Sequence, residues 1–258
     1  MRLVDLTLTL DHDYMPDEAL PSAAAFVVAP RHHADKGFLI GTETGTCLTL
    51  PAQFAEHRES RRLHEIPVEA LVLRQTAVIQ LPAGAGEEIT APAIEQAFAN
   101  AAARPGDAVL LRTGWGDRGL ERQGGPAYLL GGPRLSLEGA GALAAHLRAL
   151  ESDLLLTDLP FLARLDAHQI PEWLGLLPRP RPYPSTESTV YLHLYTSEKA
   201  RADYATARVL ADAGVMTVKR LVNCGALTGP RLRVIVGPLH LVRGVGATCR
   251  VIAVPEEA

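Results

Sequence analysis

The stretch from residue 43 to residue 57 holds several side chains that could do chemistry together. Glu43 offers a carboxylate, Cys47 a thiol, Gln53 an amide and His57 an imidazole. A carboxylate or an imidazole can act as a general acid or base, and a thiolate can attack a carbonyl carbon. Pro51 lies among them and fits the first turn of a helix, because its fixed φ and missing N–H are tolerated there. Polar clusters between two elements are where sites are commonly built.

The spacing of this stretch resembles the metal motif of the cyclase family, which includes bacterial kynurenine formamidase and isatin hydrolase. That motif reads His-x-Gly-Thr-His-x-Asp-x-Pro-x-His-Phe; its first two His and its Asp bind metal, and its last His resembles a catalytic acid or base. Four of its other positions are kept here, as Gly45, Thr46, Pro51 and Phe54.

The resemblance extends over nearly the whole chain. Val4-Asp5-Leu6-Thr7 looks like the opening strand of the family, and the run from Pro105 to Trp115 looks like its Gly-Asp…Arg-Thr-Gly-Trp signature. Leu154 to Pro160 resembles the strand that ends in an Asp, here Asp158. The segment from Gly214 to Leu221 matches the last family run, which normally holds a Glu twelve residues after a His.

The family's functional side chains are all replaced in this sequence. The resemblance assigns the five ligand positions to Glu43, Cys47, Thr49, Ala207 and Lys219, and the catalytic His to Gln53. Two ligand types, Glu43 and Cys47, are fewer than the three or four that a zinc site needs, and a lysine repels a cation. We therefore expect no metal and no other cofactor.

The same resemblance implies that Glu43 and Lys219 converge where a metal would lie. A family site that lost only its metal cation would hold carboxylates that face each other. One carboxylate and one ammonium instead have a net charge close to zero. We expect the two groups to form a salt bridge of about 4 Å or less in a partly enclosed pocket. The pair could be catalytic, or it could only fill a vestigial cavity. Thr49, Phe54 and Arg220 flank these positions and are predicted to contact the substrate.

Two further residues have alternative interpretations. Cys47 could be a nucleophile activated by the Lys219 ammonium, or a small buried packing residue. His57 could replace the lost catalytic His from the next helical turn, or it could be an exposed helix residue. Asp158 follows a buried strand, and a carboxylate there is predicted to cap backbone groups.

Two classes of function remain open from the sequence. The first is a metal-independent enzyme that acts on a small amide, lactone or enolisable ketone by acid–base catalysis, cyclisation, dehydration or hydrolysis, plausibly in specialised metabolism. Glu43 would be the base and Lys219 the electrophilic or proton-donating partner. The second is a non-catalytic binding or subunit-stabilising protein. An enzyme needs an open pocket, whereas an inactive relative could fill it with Leu48, Leu50 and Phe54.

The elements that must position these residues alternate between strands and helices in the middle of the chain. Strands are predicted at 3–10, 71–81, 108–112, 154–157, 189–195, 215–218, 232–239 and 247–254. Helices are predicted at 52–63, which would place Gln53 and His57 on one face, at 90–102, at 136–150 and from Ser197 to Gly214. The pattern predicts one α/β domain over residues 1–258 with a central mixed sheet and surrounding helices. The family resemblance implies a swivelling β/β/α architecture.

Composition excludes several other classes of protein. A net charge of −4 over 258 residues gives no footprint for nucleic acid or a membrane surface. The apolar runs are too short for a membrane span, and the N-terminus lacks a signal-peptide core, so we expect a cytoplasmic protein. The three cysteines form no framework for disulfides. The expected partners are a small-molecule substrate and, from the resemblance, further copies of the chain in a dimer or tetramer.

Overall fold

The computed structural model of the chain describes residues 3–9, 45–54, 57, 59–120, 128, 131–162 and 205–256. Several sequence predictions lie outside these residues. They include the position of Glu43, the strand at 189–195, the start of the helix at Ser197 and the proline-rich loop at 177–188.

In the described part of the chain, eight strands form one mixed sheet and two short strands form a second. In the large sheet the spatial order is β1, β10, β2, β8, β7, β5, β3, β9, and β10 also pairs with β9, so the sheet closes on itself. β4 and β6 pair separately and in parallel. The strands are β1 (Val4–Asp5), β2 (Cys47–Thr49), β3 (Val72–Gln80), β4 (Glu88–Ile89), β5 (Ala108–Arg112), β6 (Arg134–Leu135), β7 (Leu154–Thr157), β8 (Met216–Lys219), β9 (Arg231–Pro238) and β10 (Gly246–Pro255).

Within the closed sheet, parallel pairing is confined to the middle. β3, β5, β7 and β8 are successive parallel neighbours, and the remaining pairs are antiparallel. Parallel neighbours need a crossover connection, and each of the three crossovers contains a helix. These helices are α1 (Ala91–Ala99), α2 (Leu137–Ala149) and α3 (Ala205–Asp212). The predicted α/β fold with a central mixed sheet and surrounding helices is confirmed.

Alternating side chains of the strands divide the interior into two apolar cores. On β5, Ala108 and Leu110 belong to the core enclosed by the sheet, whereas Val109 and Leu111 pack between the sheet and the helices. Both faces of such a strand are buried, so its sequence reads as a continuous apolar run. The same alternation decides which residues of β2 and β8 face the helices.

The helix boundaries follow local signals in the sequence. α2 begins after Ser136, whose hydroxyl accepts a hydrogen bond from the Gly139 N–H at 2.9 Å. α1 carries its proline in the first turn, as predicted. α3 ends shortly before Gly214, where φ is +75° and a residue without Cβ is favoured. None of the helices in the described part of the chain is both long and apolar enough to cross a membrane.

Two predicted elements differ from the structure. The helix predicted at 52–63 is wrong: short 3₁₀ turns occupy Pro51–Gln53 and Leu63–Glu65 instead. Phe54 is extended, with φ −91° and ψ 143°, and this conformation interrupts the helix while its side chain stays nearly buried. Leu63 belongs to the enclosed core, and its N–H donates to Gly244 O at 2.9 Å, which draws the chain away to the start of β10. The first predicted strand is also shorter, because only Val4–Asp5 form β1.

Candidate active site

The register of β2 against β8 brings the replaced ligand positions together. Cys47 lies opposite Lys219, and Thr49 lies opposite Thr217. Leu48 of β2 and Val218 of β8 belong to the enclosed core. Because successive strand residues point to opposite faces, the four opposed residues face outward, on the side that the helices cover.

A small cleft, with a cavity volume of about 30 Å³, lies between these strands, the turn at residues 51–54 and helix α3. It joins parts of the chain that are far apart in sequence. Its polar lining comes from Thr49, Gln53, Thr217 and Lys219; apolar lining comes mainly from Phe54, Leu162, Ala207, Ala211 and Val215.

Lys219 is the charged residue of the cleft. It is the last residue of β8 and is only 8% exposed. The other described lining residues are all uncharged. Since a nearly buried ammonium interacts strongly with any negative charge that enters, this part of the cleft suits an anion or a polarised carbonyl oxygen.

Four of the six replaced positions therefore line one cleft: Thr49, Gln53, Ala207 and Lys219. The retained Pro51 and Phe54 line it as well. Glu43 lies outside the described residues. Its salt bridge with Lys219 stays a prediction.

Arg220 does not line the cleft, although it was predicted to contact the substrate. It is 1% exposed, and its backbone has a φ of +63°, which turns the chain sharply after β8. Its guanidinium donates to Pro160 O at 3.1 Å and to Gly45 O at 3.3 Å, and it lies 4.8 Å from the centre of the Phe161 ring. Arg220 thus connects three segments around the site, and its contact with the substrate stays a prediction.

Cys47 is fully buried and is also absent from the lining. Its side chain is therefore covered on the outer face of the sheet. Cys249 lies nearby on β10; burial and the neighbouring Cys47 raise its pKa. The packing interpretation of Cys47 is the one that this burial supports.

His57 contacts a helix instead of the cleft. Its Nε2 atom lies 2.7 Å from Asp212 Oδ1 at the end of α3, and its side chain is 25% exposed. The hypothesis that His57 reaches in to replace the lost catalytic His depended on a helix that does not form. The His57–Asp212 contact instead fixes the turn at residues 51–54 against α3.

Asp158 has the structural role predicted for it. One carboxylate oxygen accepts from the Thr113 N–H at 2.8 Å and from the Thr113 hydroxyl at 2.7 Å, and the other accepts from the Gly114 N–H at 2.8 Å. Burial raises the pKa of the carboxyl, and these hydrogen bonds oppose the rise. Asp158 therefore organises the loop after β5.

The described cleft residues do not fit a divalent metal ion. Nowhere in the described parts of the chain do three His, Cys, Asp or Glu side chains gather in a metal-binding group. At the ligand positions in the cleft, Ala207 has no donor atom, Thr49 has a neutral hydroxyl, and Lys219 brings a positive charge. A divalent cation needs several anionic or imidazole ligands, and this set repels it.

Sequence reasoning assigned Ala207 of α3 to the site but missed Ala211. Ala207 and Ala211 are four residues apart and so lie on one face of the helix. Arg208 lies next to them, with its guanidinium carbon 5.1 Å from the centre of the Phe54 ring. The available signal was the pair of alanines at helical spacing beside an arginine. This pattern does not show which strands the helix covers.

The closed mixed sheet, its covering helices and an outer cleft at the end of β8 define an α/β protein of the cyclase fold. The sequence profile of the Cyclase family, described as "Putative cyclase", matches residues 4–159, and the chain belongs to this family.

Solved structures share this fold at low sequence identity. Isatin hydrolase A from Labrenzia aggregata, bound to benzyl benzoate, is 20% identical with a TM-score of 0.63, over 99% of this chain and 94% of that one. Isatin hydrolase A from Ralstonia solanacearum is 18% identical with a TM-score of 0.65, over 99% and 92%. An isatin hydrolase bound to the product analogue thioisatinate is 17% identical with a TM-score of 0.67, over 99% and 93%. No curated protein matches the chain.

Proposed function

We propose that the protein is an enzyme that acts on a small carbonyl compound, an amide, a lactone or an enolisable ketone, without a metal ion. The observation that carries this proposal is the position of Lys219. A nearly buried ammonium lines a cleft whose other described lining residues are uncharged, at a position that the family resemblance assigns to a metal ligand. Membership of the Cyclase family and a fold shared with isatin hydrolases, which are named for hydrolysis of a carbonyl compound, support the same class of chemistry.

In this scheme Lys219 takes over the electrophilic role of a metal. Its ammonium donates a hydrogen bond to the substrate carbonyl oxygen and stabilises the negative charge that develops there in the transition state. The Gln53 amide and the Thr49 hydroxyl orient the substrate, and Phe54 with the apolar wall of α3 limits water around the reacting group. Glu43 is the proposed base, which removes a proton next to the carbonyl or activates a water.

The alternative is a binding protein without catalysis. An inactive relative was expected to fill the site with Leu48, Leu50 and Phe54, but Leu48 packs in the enclosed core. Leu50 and Phe54 border the cleft, and the cavity among the described residues is about 30 Å³. The turnover experiment below distinguishes the enzyme from the binding protein.

The experiment is a turnover screen with chelator-treated protein. Small lactones, formyl and cyclic amides, and enolisable ketones are incubated in heavy water, and proton NMR detects hydrolysis, cyclisation or exchange of the proton next to the carbonyl. We expect turnover that is unchanged by EDTA. Lys219→Met should lower it by about 100-fold or more, a loss comparable to removing one oxyanion-stabilising donor. Arg148→Gln, which removes an exposed charge on α2, is the matched control and should leave turnover unchanged.

Two results would contradict the proposal. Turnover that disappears with EDTA and returns with zinc or manganese would show that a metal does the chemistry. Ligand binding in the cleft with no reaction of any compound class would favour the non-catalytic alternative. If Lys219→Met does not fold, Lys219→Arg serves as the second variant, because it keeps the positive charge.

A further inference from the structure

Thr217 brings a nearly buried hydroxyl to the cleft, and the proposed chemistry does not use it. The residue belongs to β8, two positions before Lys219, and is only 5% exposed. It lines the cleft and lies opposite Thr49 of β2. Side chains alternate along a strand, so Thr217 and Lys219 point to the same face of the sheet, with Cα atoms about 6.7 Å apart. One strand therefore supplies both an ammonium and a hydroxyl to one cleft.

The Thr217 side chain forms no hydrogen bond with the residues that the structure describes. Other buried threonines differ: the hydroxyl of Thr46 donates to Arg220 O at 2.8 Å, and that of Thr113 donates to an Asp158 oxygen at 2.7 Å. A hydroxyl offers one donor and two acceptor sites, and burial without a partner is unfavourable for it. The Thr217 hydroxyl is therefore available to a molecule that enters the cleft.

The surroundings of this hydroxyl suit a small neutral group. The cavity of about 30 Å³ has room for about two groups of the size of a water molecule, which needs about 10–15 Å³. Ala207 and Ala211 of α3, together with Val215 before β8, supply an apolar wall. A neutral polar atom loses less hydration in such surroundings than a charged one.

We propose that Thr217 is a specificity-determining residue, whose hydroxyl forms a hydrogen bond with a neutral N–H or oxygen next to the substrate carbonyl that contacts Lys219. This inference rests on the proposed function. The carbonyl oxygen and such a neighbouring atom are two bonds apart, so both fit the small cavity while the rest of the molecule extends beyond it. A compound with a methylene group in place of that atom leaves the hydroxyl unpaired, and a site built for a hydrogen bond discriminates against it.

The first measurement asks whether the hydroxyl serves the fold. Thr217→Val keeps the shape of the side chain and removes an unpaired polar group, so the Tm of the free protein should be unchanged or higher. Thr113→Val is the comparison, because it removes a hydroxyl that is bonded to Asp158 at 2.7 Å. We expect its Tm to fall by about 4 °C or more.

The second measurement asks whether the hydroxyl binds a ligand. Proton NMR titrations of the full chain use δ-valerolactam and cyclohexanone, two six-membered rings that differ by an N–H in place of a methylene group. Thr217→Val should weaken lactam binding by about fivefold or more, whereas cyclohexanone should behave alike with both proteins. Thr217→Ser, which keeps the hydroxyl, should retain most of the lactam affinity. Thr228→Val, at an exposed position before β9, is the matched control and should leave lactam binding unchanged.

Several outcomes would overturn the inference. They are no lactam binding by the unmodified protein, equal lactam affinity with and without the Thr217 hydroxyl, equal losses for the two compounds, or a Tm of Thr217→Val that falls together with that of Thr113→Val. If Thr217→Val does not fold, the pair Thr217→Ser and Thr217→Ala carries the binding test, because these two variants differ only by the hydroxyl.

Failure here is distinct from failure of the proposed function. Turnover that depends on Lys219 but not on the Thr217 hydroxyl would overturn only this inference. Lactam binding that depends on the Thr217 hydroxyl, in a protein that turns over no compound, would overturn only the enzymatic function.

Discussion

At the scale of single residues, Arg220 shows how a charge next to the candidate site can serve the fold instead. Its side chain joins Gly45 before β2, Pro160 after β7 and the Phe161 ring. The hydroxyl of Thr46 donates a hydrogen bond to Arg220 O at 2.8 Å. Each of the two segments therefore donates a hydrogen bond to the other. These contacts hold the ends of β2, β7 and β8 together. Lys219, the last residue of β8, directly precedes Arg220.

Arg220→Met should therefore destabilise the protein. Removing the guanidinium leaves buried carbonyl oxygens without their charged donor, and each such bond contributes about 1.5–3 kcal/mol. We expect the free energy of unfolding to fall by roughly 3 kcal/mol, measured by urea denaturation. Arg148→Met, at an exposed position of α2, should change it by less than about 0.5 kcal/mol. A similar small change for both variants would contradict the structural role of Arg220.

The predicted Glu43–Lys219 pair can be tested by its coupling. If the two charges neutralise each other, Lys219→Met leaves the Glu43 carboxylate unpaired in the site and costs about 3–5 kcal/mol. Glu43→Gln combined with Lys219→Met should restore much of that loss, because both charges are then removed together. A double-mutant cycle of urea unfolding measures the coupling. Losses that simply add would show that the two groups do not interact.

The buried thiols give the protein a sensitivity to alkaline pH. Burial raises the pKa of Cys224 and of Cys249 above the ordinary thiol range. A raised pKa in the folded state means that stability is complete below the unfolded thiol pKa of about 8.5 and is lost as the pH rises through the interval up to the folded pKa. We expect each thiol to lower the free energy of unfolding by about 1.4 kcal/mol per pH unit between about pH 9 and pH 10.5.

The measurement is urea unfolding in reductant at several pH values. The control is the double variant Cys224→Ala and Cys249→Ala, in which the extra slope should disappear. An identical slope in both proteins would mean that the thiols ionise as readily in the folded state as in the unfolded one.

At the scale of elements, the loop after β5 depends on the carboxylate that follows β7. Asp158→Asn keeps the shape of the side chain but replaces one acceptor oxygen with an NH₂ group. This donor then faces the N–H donors of the loop. The Thr113 and Gly114 N–H groups need that acceptor, so we expect a loss of about 2–4 kcal/mol in the free energy of unfolding. Asp153→Asn is the matched control: Asp153 pairs with Arg74 at 2.8 Å but is 51% exposed, so its loss should stay below about 1 kcal/mol. Equal losses would contradict the role given to Asp158.

The elements that could be predicted from sequence are those whose signals are local. The strand at residues 108–112 is a short apolar run, and Ser136 is a standard first residue before a helix; both were predicted with the observed bounds within a residue. The helix predicted at 52–63 does not form, because Phe54 packs beside the cleft and Leu63 packs in the enclosed core. Such tertiary contacts override helix propensity. The contacts of Arg220 and His57 depend on packing between distant segments, which no local pattern contains.

At the scale of the whole molecule, closure of the sheet through β9, β10 and β2 leaves one face for an enclosed core and the other for the helices. The candidate site belongs to the outer face, where α3 covers the ends of β2 and β8. Gly45, Thr46, Pro51 and Phe54, the residues that match the family motif, lie on either side of β2. The expected assembly into a dimer or tetramer stays a prediction.

The most direct test of the central claim is the metal content of the full-length protein. It is expressed in medium supplemented with zinc and manganese, purified without chelator, and analysed by mass spectrometry of the elements against protein concentration. The account predicts no stoichiometric divalent metal, because Lys219 and Ala207 occupy ligand positions that a cation requires. One tightly held zinc or manganese ion per chain would contradict it.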